Sequence, residues 1–279
     1  MELKLFRHLW GVGNPLAALP RFKSKGYHGI EVGILVMPDH ERLVEGIHAH
    51  GFDFIPQIFT ADFTQEPDVS RHVDSFARQL ETVAAFDPVM VVAHSGCDAW
   101  TPAEAESFYR QALSIAAGYS FPIAHETHRG RYFYNPWNCA AMLDLFPGLR
   151  LCCDFSHWVC VCERLIDDQL DIIRQAAGRC IHLHARVGFE NGPQVPDPAA
   201  PQYATHLAAH ERWWDMIWNA QRERGDAVST LTPEFGPPSY LHTRPEDNSP
   251  VVDLEEVCNW MARRQSARFE VGSTGACHR

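Results

Sequence analysis

Along the whole chain, short runs of apolar residues alternate with longer stretches whose apolar positions recur every three or four residues. The short runs read as strands: 4–11 (KLFRHLWG), 29–33 (GIEVG), 52–59 (FDFIPQIF), 88–96 (PVMVVAHSG), 122–128 (PIAHETH), 150–158 (RLCCDFSHW), 180–186 (CIHLHAR) and 229–236 (STLTPEFG). The stretches between them read as helices. Val69, Val73, Phe76, Leu80 and Val83 form one apolar stripe at helical spacing. Thr101, Pro102 and Glu104 supply an N-cap, a first-turn proline and a capping-box acid, and Asn135 with Pro136 repeats the cap-then-proline signal.

Eight strand–helix units without a linker predict an α/β fold, a single-domain (β/α)8 TIM barrel. A dinucleotide-binding fold has no support, because no GxGxxG follows the first strand. The length of 279 residues and a 46% hydrophobic content suit one barrel over residues 1–267. Residues 268–279 read as a flexible C-terminal tail. The Gly/Pro-rich stretch 188–202 (GFENGPQVPDPAAPQ) is long enough to cover a site at the barrel mouth.

Charge narrows the partners. With 24 basic against 35 acidic residues, the formal net charge of −11 repels nucleic acid and anionic lipid and favours a small-molecule substrate. Neither a signal peptide nor a long apolar run is visible, so a cytoplasmic protein without membrane contact is expected. Nine cysteines fit reduced thiols. Cys152, Cys153, Cys160 and Cys162 lack paired CxxC spacing and read as packing residues. Trp213, Trp214 and Trp218 either pack on the barrel or form a contact in a homo-oligomer.

The chemistry gathers at strand ends. Glu126, Asp154, His184 and Glu234 stand near the ends of four consecutive apolar runs, where a carboxylate is costly unless it is paired or bound to a cation. Three carboxylates and one imidazole suit one hard or borderline divalent ion, with Mn²⁺ first and Mg²⁺, Co²⁺ or Zn²⁺ as alternatives. His182 shares a strand face with His184. The residue nearer the C-terminal end, His184, is taken as the ligand and His182 as lying one layer lower. Arg186, on the same face, places a fixed cation beside the metal. Glu31 reads equally as a structural carboxylate or a substrate contact, and His8, Trp10 and His94 as packing or mouth-lining residues. The segment HETHRGRYFYNPW (125–137) offers His128 and Arg131 to a substrate carboxylate.

The order E, DxxH, H, E across strands five to eight, with GYHGIEVG in the second unit, resembles the xylose isomerase-like TIM barrels. The resemblance spans roughly residues 4–265. It implies that Glu126, Asp154, His184 and Glu234 are metal ligands and that His157 contacts substrate. It further implies that Glu126 and Glu234 act as acid and base on an enediolate, giving isomerisation or epimerisation of a small sugar, keto-sugar or hydroxy-keto compound. A dehydratase or lyase using the same residues is the alternative. An endonuclease IV-like nuclease fits less well: Gln57 stands where a histidine ligand is expected, and Asp197 lacks a DxH partner. A non-catalytic binding protein would have no need of the full ligand set.

Overall fold

The computed structural model describes residues 1–61 and 67–275. Eight parallel strands close into a barrel in chain order: β1 (Glu2–His8), β2 (Gly29–Val32), β3 (Asp53–Phe59), β4 (Val91–His94), β5 (Ile123–Glu126), β6 (Leu151–Cys153), β7 (Cys180–His184) and β8 (Val228–Thr232). Outside them run α1 (Pro15–Ser24), α2 (His40–Ala49), α3 (Val69–Ala84), α4 (Pro102–Ala116), α5 (Pro136–Leu145), α6 (Phe155–Cys162), α7 (Leu170–Ala177), α8 (Ala204–Arg224) and α9 (Leu254–Gly275). The expected (β/α)8 barrel is present. Among the described residues no helix is long and apolar enough to cross a membrane, and the eight described cysteines carry free thiols.

Local sequence accounts for several boundaries. Thr101 and Glu104 form the reciprocal capping box that starts α4, and Asn135 caps α5 through the Asn138 amide. The stripe on α3 buries Phe76, Leu80 and Val83. The strand readings run long where polar strand ends meet turns. The largest overrun is 150–158: β6 stops at Cys153, Asp154 caps α6, and Phe155–Trp158 are helical. An apolar run does not distinguish a strand from a buried helix, and the Asp154 cap decides here.

Inside the barrel, period-2 alternation aims every second residue at the axis. The lower interior is apolar, made by Phe6, Ile55, Met90, Val92, Ala124 and Cys152. Gly29 belongs to this level for a steric reason: a Cβ there would lie 2.1 Å from the Phe6 ring. Two residues further along the strands the inward positions turn polar, with His8, Glu31, Gln57, His94 and Glu126 all buried. A second, larger apolar core fills the space between strands and helices, and Trp213, Trp214 and Trp218 of α8 are buried in it. They pack within the protomer.

Two further expectations change. The tail does not begin at 268: α9 runs on to Gly275, and Phe269 is buried edge-on against Trp218 at 5.2 Å. Its glycines suggested a loose end, but apolar packing holds the helix further. The 188–202 loop folds onto the barrel rim, where Val195 bonds Val187 and the Gln194 amide exchanges hydrogen bonds with Gly236. It contributes no wall to the cavity at the mouth.

Candidate metal centre

The C-terminal ends of β5 to β8 bring four buried side chains together. One ligand atom from each of Glu126, Asp154, His184 and Glu234 lies within 4.8 Å of the others. Glu126 and His184 close their strands, whereas Asp154 and Glu234 stand one and two residues beyond β6 and β8.

His184 stands at the centre. Its Nδ1 lies 2.8 Å from Glu126 Oε1 and 3.0 Å from Glu234 Oε2, and its Nε2 lies 2.8 Å from Glu31 Oε1. With Nε2–H donating to Glu31, Nδ1 is left for an ion, the carboxylate–histidine arrangement that orients imidazole ligands. Glu31 is fully buried and accepts from Gln57 Nε2 at 3.0 Å and from Thr232 Oγ1 at 2.5 Å. Of its two readings, the structure favours the structural carboxylate, since Glu31 forms no part of the cavity wall. His182 lies a layer lower, where it meets Thr230 Oγ1 at 2.7 Å and Glu31 Oε2 at 3.1 Å.

The donor set fits a hard divalent cation. Glu126 Oε2 and Glu234 Oε2 are buried without a hydrogen bond of acceptable geometry, although His94 Nδ1 lies 2.5 Å from the first and His184 Nδ1 3.0 Å from the second. Asp154 differs. Its Oδ1 accepts from the Ser156 amide at 3.0 Å and from Ser156 Oγ at 2.5 Å. Its Oδ2 takes Arg186 Nε at 3.0 Å and Nη2 at 2.5 Å, so all four lone-pair directions of this carboxylate are occupied and an ion would have to displace one of these donors.

The electrostatics follow from burying acids beside bases. Burial opposes charge on Glu126, but His94, His128 and His184 outweigh it and hold its pKa well below the ordinary value. Burial likewise opposes charge on Glu234, yet His184 and Arg186 bring its pKa down to about 2. On Asp154 burial wins: even beside Arg186, the neighbouring Glu126 and Glu234 help raise its pKa to about 6. His184 moves the other way, because Cys152, Glu234, Glu31 and Glu126 overcome its burial and raise its pKa well above the usual value. The acids thus draw positive charge onto their own histidine.

Above this group opens a cavity of about 460 Å³. Its polar lining consists of His8, Gln57, His94, His128, Arg131, Arg186 and Glu234, and Trp10 belongs to its apolar lining. Arg186 also reaches Glu234 Oε2 at 3.1 Å. His94 stacks on Phe59 at 4.3 Å. His157 was expected to project toward the mouth, but it sits in the first turn of α6, fully buried, 2.8 Å from Arg186 and with its ring 3.9 Å from His128. It backs the wall without forming part of it.

Sequence reasoning missed Tyr240, from the long segment after β8. Its ring lies 4.9 Å from Trp10 and 5.2 Å from the Arg186 guanidinium. No periodicity marks that segment. Gln57, noted only as a missing histidine, ties Glu31 to Glu234 through two 3.0 Å hydrogen bonds. Its inward place on β3 was the available signal.

No family model matches the chain, and no curated protein matches it by sequence. Solved structures do match its fold. A xylose isomerase-like TIM barrel protein from Mycobacterium smegmatis, solved with magnesium, superposes with a TM-score of 0.61 at 12% identity over 97% of each chain. The 3-keto-D-glucoside 4-epimerase from E. coli gives 0.61 at 11% identity, over 95% of this chain and 100% of that one. Endonuclease IV from Thermus thermophilus gives 0.58 at 15% identity, over 97% and 99%. The chain has the fold of these barrels, and a fold of this kind leaves the reaction to be set by the side chains of the site.

Proposed function

We propose that this protein is a divalent-metal-dependent isomerase or epimerase acting on a small hydroxy-carbonyl compound through an enediolate. One observation carries the reading: Glu126, Asp154, His184 and Glu234 converge within 4.8 Å beneath an open cavity, with an unsatisfied oxygen on each glutamate. These four residues would hold the ion, Mn²⁺ first. When bound, it supplies Lewis acidity that makes the substrate's α C–H more acidic and takes up the enediolate charge.

The chain's own residues do the rest. Glu234 lines the cavity, so its carboxylate is the group that takes the proton from the substrate carbon. Glu126 lies deeper, its Oε2 2.5 Å from the Nδ1 of cavity-lining His94, and a proton passed from solvent through that imidazole to Glu126 is returned from the other side. Arg186 stands beside Glu234 and keeps it ionised between turnovers. Return of the proton to another face or carbon gives epimerisation or isomerisation.

The test is α-proton exchange in D₂O against a panel of ketoses, keto-acids and 3-keto-glycosides with Mn²⁺ present. Exchange with at least one member is expected, and Glu234→Gln should abolish it while the protein stays folded. No exchange across the panel, or full exchange by the variant, overturns the reading. Exchange followed by loss of a β-substituent would instead identify a lyase.

A polynuclear, nuclease-like centre has one observation in its favour: His94, Glu126 and His128 also offer ligand atoms within 4.8 Å of one another. The net charge of −11 and the apolar side of the cavity oppose a DNA substrate. Metal content separates the two, one ion per chain against two or three.

A further inference from the structure

Among the described residues, Arg131 is a buried cation without a counterion. It follows Glu126 by five residues, lies in the segment between β5 and α5, and is only 6% exposed. Nη1 donates to Thr60 O at 2.9 Å and reaches Gly96 O at 3.4 Å. Nε and Nη2, the fork on the opposite edge of the guanidinium, make no hydrogen bond to any described residue, and no described carboxylate pairs with Arg131. Neither nitrogen is among the sealed, unsatisfied atoms, so both keep some accessible surface, and Arg131 is one of the residues that line the cavity.

Arg186 shows the contrast within the same wall. Its fork is filled by Asp154 Oδ2, and Glu234 stands 3.1 Å away. Burial depresses the pKa of Arg131, with Glu126 as the main group acting against that. Under the proposed function Glu126 is committed to the metal group. A buried guanidinium costs free energy until an anion joins it, and a free Nε/Nη2 edge matches two oxygens of a carboxylate or phosphate side by side.

The rest of the cavity lining is largely apolar and includes Trp10, Val36, Met37, Phe59 and Tyr240. Trp10 is 37% exposed and Val36 is 59% exposed, so both present apolar surface to whatever enters. Apolar surface of this extent matches an apolar or aromatic portion of a ligand. A volume of about 460 Å³ holds a molecule of a ring plus a short polar chain.

We infer that the substrate is an amphipathic acid, with an oxyanion seated on Arg131 Nε and Nη2 and an apolar or aromatic portion lying against Trp10, Val36, Met37 and Tyr240. Its hydroxy-carbonyl portion then lies between the two, over Glu234. This identification of the substrate class rests on the proposed function.

The test uses the full chain loaded with Mn²⁺ and measures binding of four probes by calorimetry: 3-phenylpropionate, 2-phenylethyl phosphate, 3-phenylpropan-1-ol and propionate. At least one aryl anion is expected to bind about tenfold or more tighter than the aryl alcohol, in line with a charge-assisted hydrogen-bond pair, and the tighter of the two names the anion. Arg131→Met should erase that preference, with Arg131→Lys restoring part of it. Trp10→Ala should weaken the aryl anions while leaving propionate unchanged.

An alcohol that binds as tightly as both anions overturns the inference, as does an Arg131→Met protein that keeps the preference, because the anion would then sit on the metal. If Arg131→Met fails to fold, the wild-type ranking is measured with and without Mn²⁺: a preference for the anions that persists without the ion supports Arg131 as their seat, and one that disappears with the ion overturns the inference. Arg131-dependent anion binding without α-proton exchange on any panel member overturns the enediolate reading only. Exchange of neutral ketoses without anion preference overturns this inference only.

Discussion

The lower and upper halves of the barrel interior are built on the same strands, yet the lower is mainly apolar, with His182 and Thr230 as its polar members, and the upper is polar and charged. Below, Phe6, Ile55, Val92, Ala124 and Cys152 form an apolar plug. Two residues further along those strands stand His8, Gln57, His94, Glu126 and Asp154, all buried and all polar. Backbone geometry is common to both halves, so the contrast lies in side chains alone. The plug supplies burial free energy and a rigid floor, and the upper ring spends part of that stability on desolvated charges held close together. Stability and chemistry are therefore separable by substitution.

The largest effect is expected at the top. His184→Ala removes the imidazole that meets Glu126, Glu234 and Glu31, and a Mn²⁺ titration followed by calorimetry should show no saturable tight site. A variant that binds the ion as the wild type does would break the division between the halves. Phe6→Ala in the plug should cost about 3–5 kcal/mol of folding stability in chemical denaturation, with the ion's affinity nearly unchanged. A large loss of metal affinity there would show that floor and ring are one unit.

Smaller is Glu31→Gln, which keeps the shape but weakens the hold on His184 Nε2. A loss of about 10–100-fold in metal affinity is expected, and no change in titration would free Glu31 of its orienting role. The smallest effect lies outside both halves. Buried His210 accepts from the Gly188 amide, and burial lowers its pKa to about 4. The unfolded chain binds that proton more readily, so this contribution is complete above about pH 6.5 and is lost as pH falls toward 4. Between pH 7 and 6 the loss should stay under about 1 kcal/mol, with the same slope in the plug and ring variants when melting is followed across pH. A slope that changes in the ring variants alone would place the titration at the mouth.

Much of this arrangement is legible in the chain. Apolar runs and helical stripes mark eight units because burial imposes periods of 2 and 3.6 on any sequence that packs. Glu126, Asp154, His184 and Glu234 are visible because acids interrupting apolar runs are costly and therefore conspicuous. Residues without such a contrast were misjudged. His157 looked like a mouth residue, but the helix begun by Asp154 turns it inward behind Arg186. The 188–202 loop looked like a cover, but Gln194 ties it to Gly236 on the rim. Tyr240 lies in a segment with neither period nor motif.

The sequence by itself determined the barrel, the four polar side chains at consecutive strand ends and the net negative charge, since each follows from local pattern or summed charge. Only the tertiary structure decided which polar groups have partners. It closed Glu31 onto His184, filled the fork of Arg186 and left that of Arg131 free, and set Trp10 beside Tyr240 across more than two hundred residues of chain. Pairing at such separation is a property of the closed barrel, which brings the first and last strands together, and no spacing along the chain encodes it.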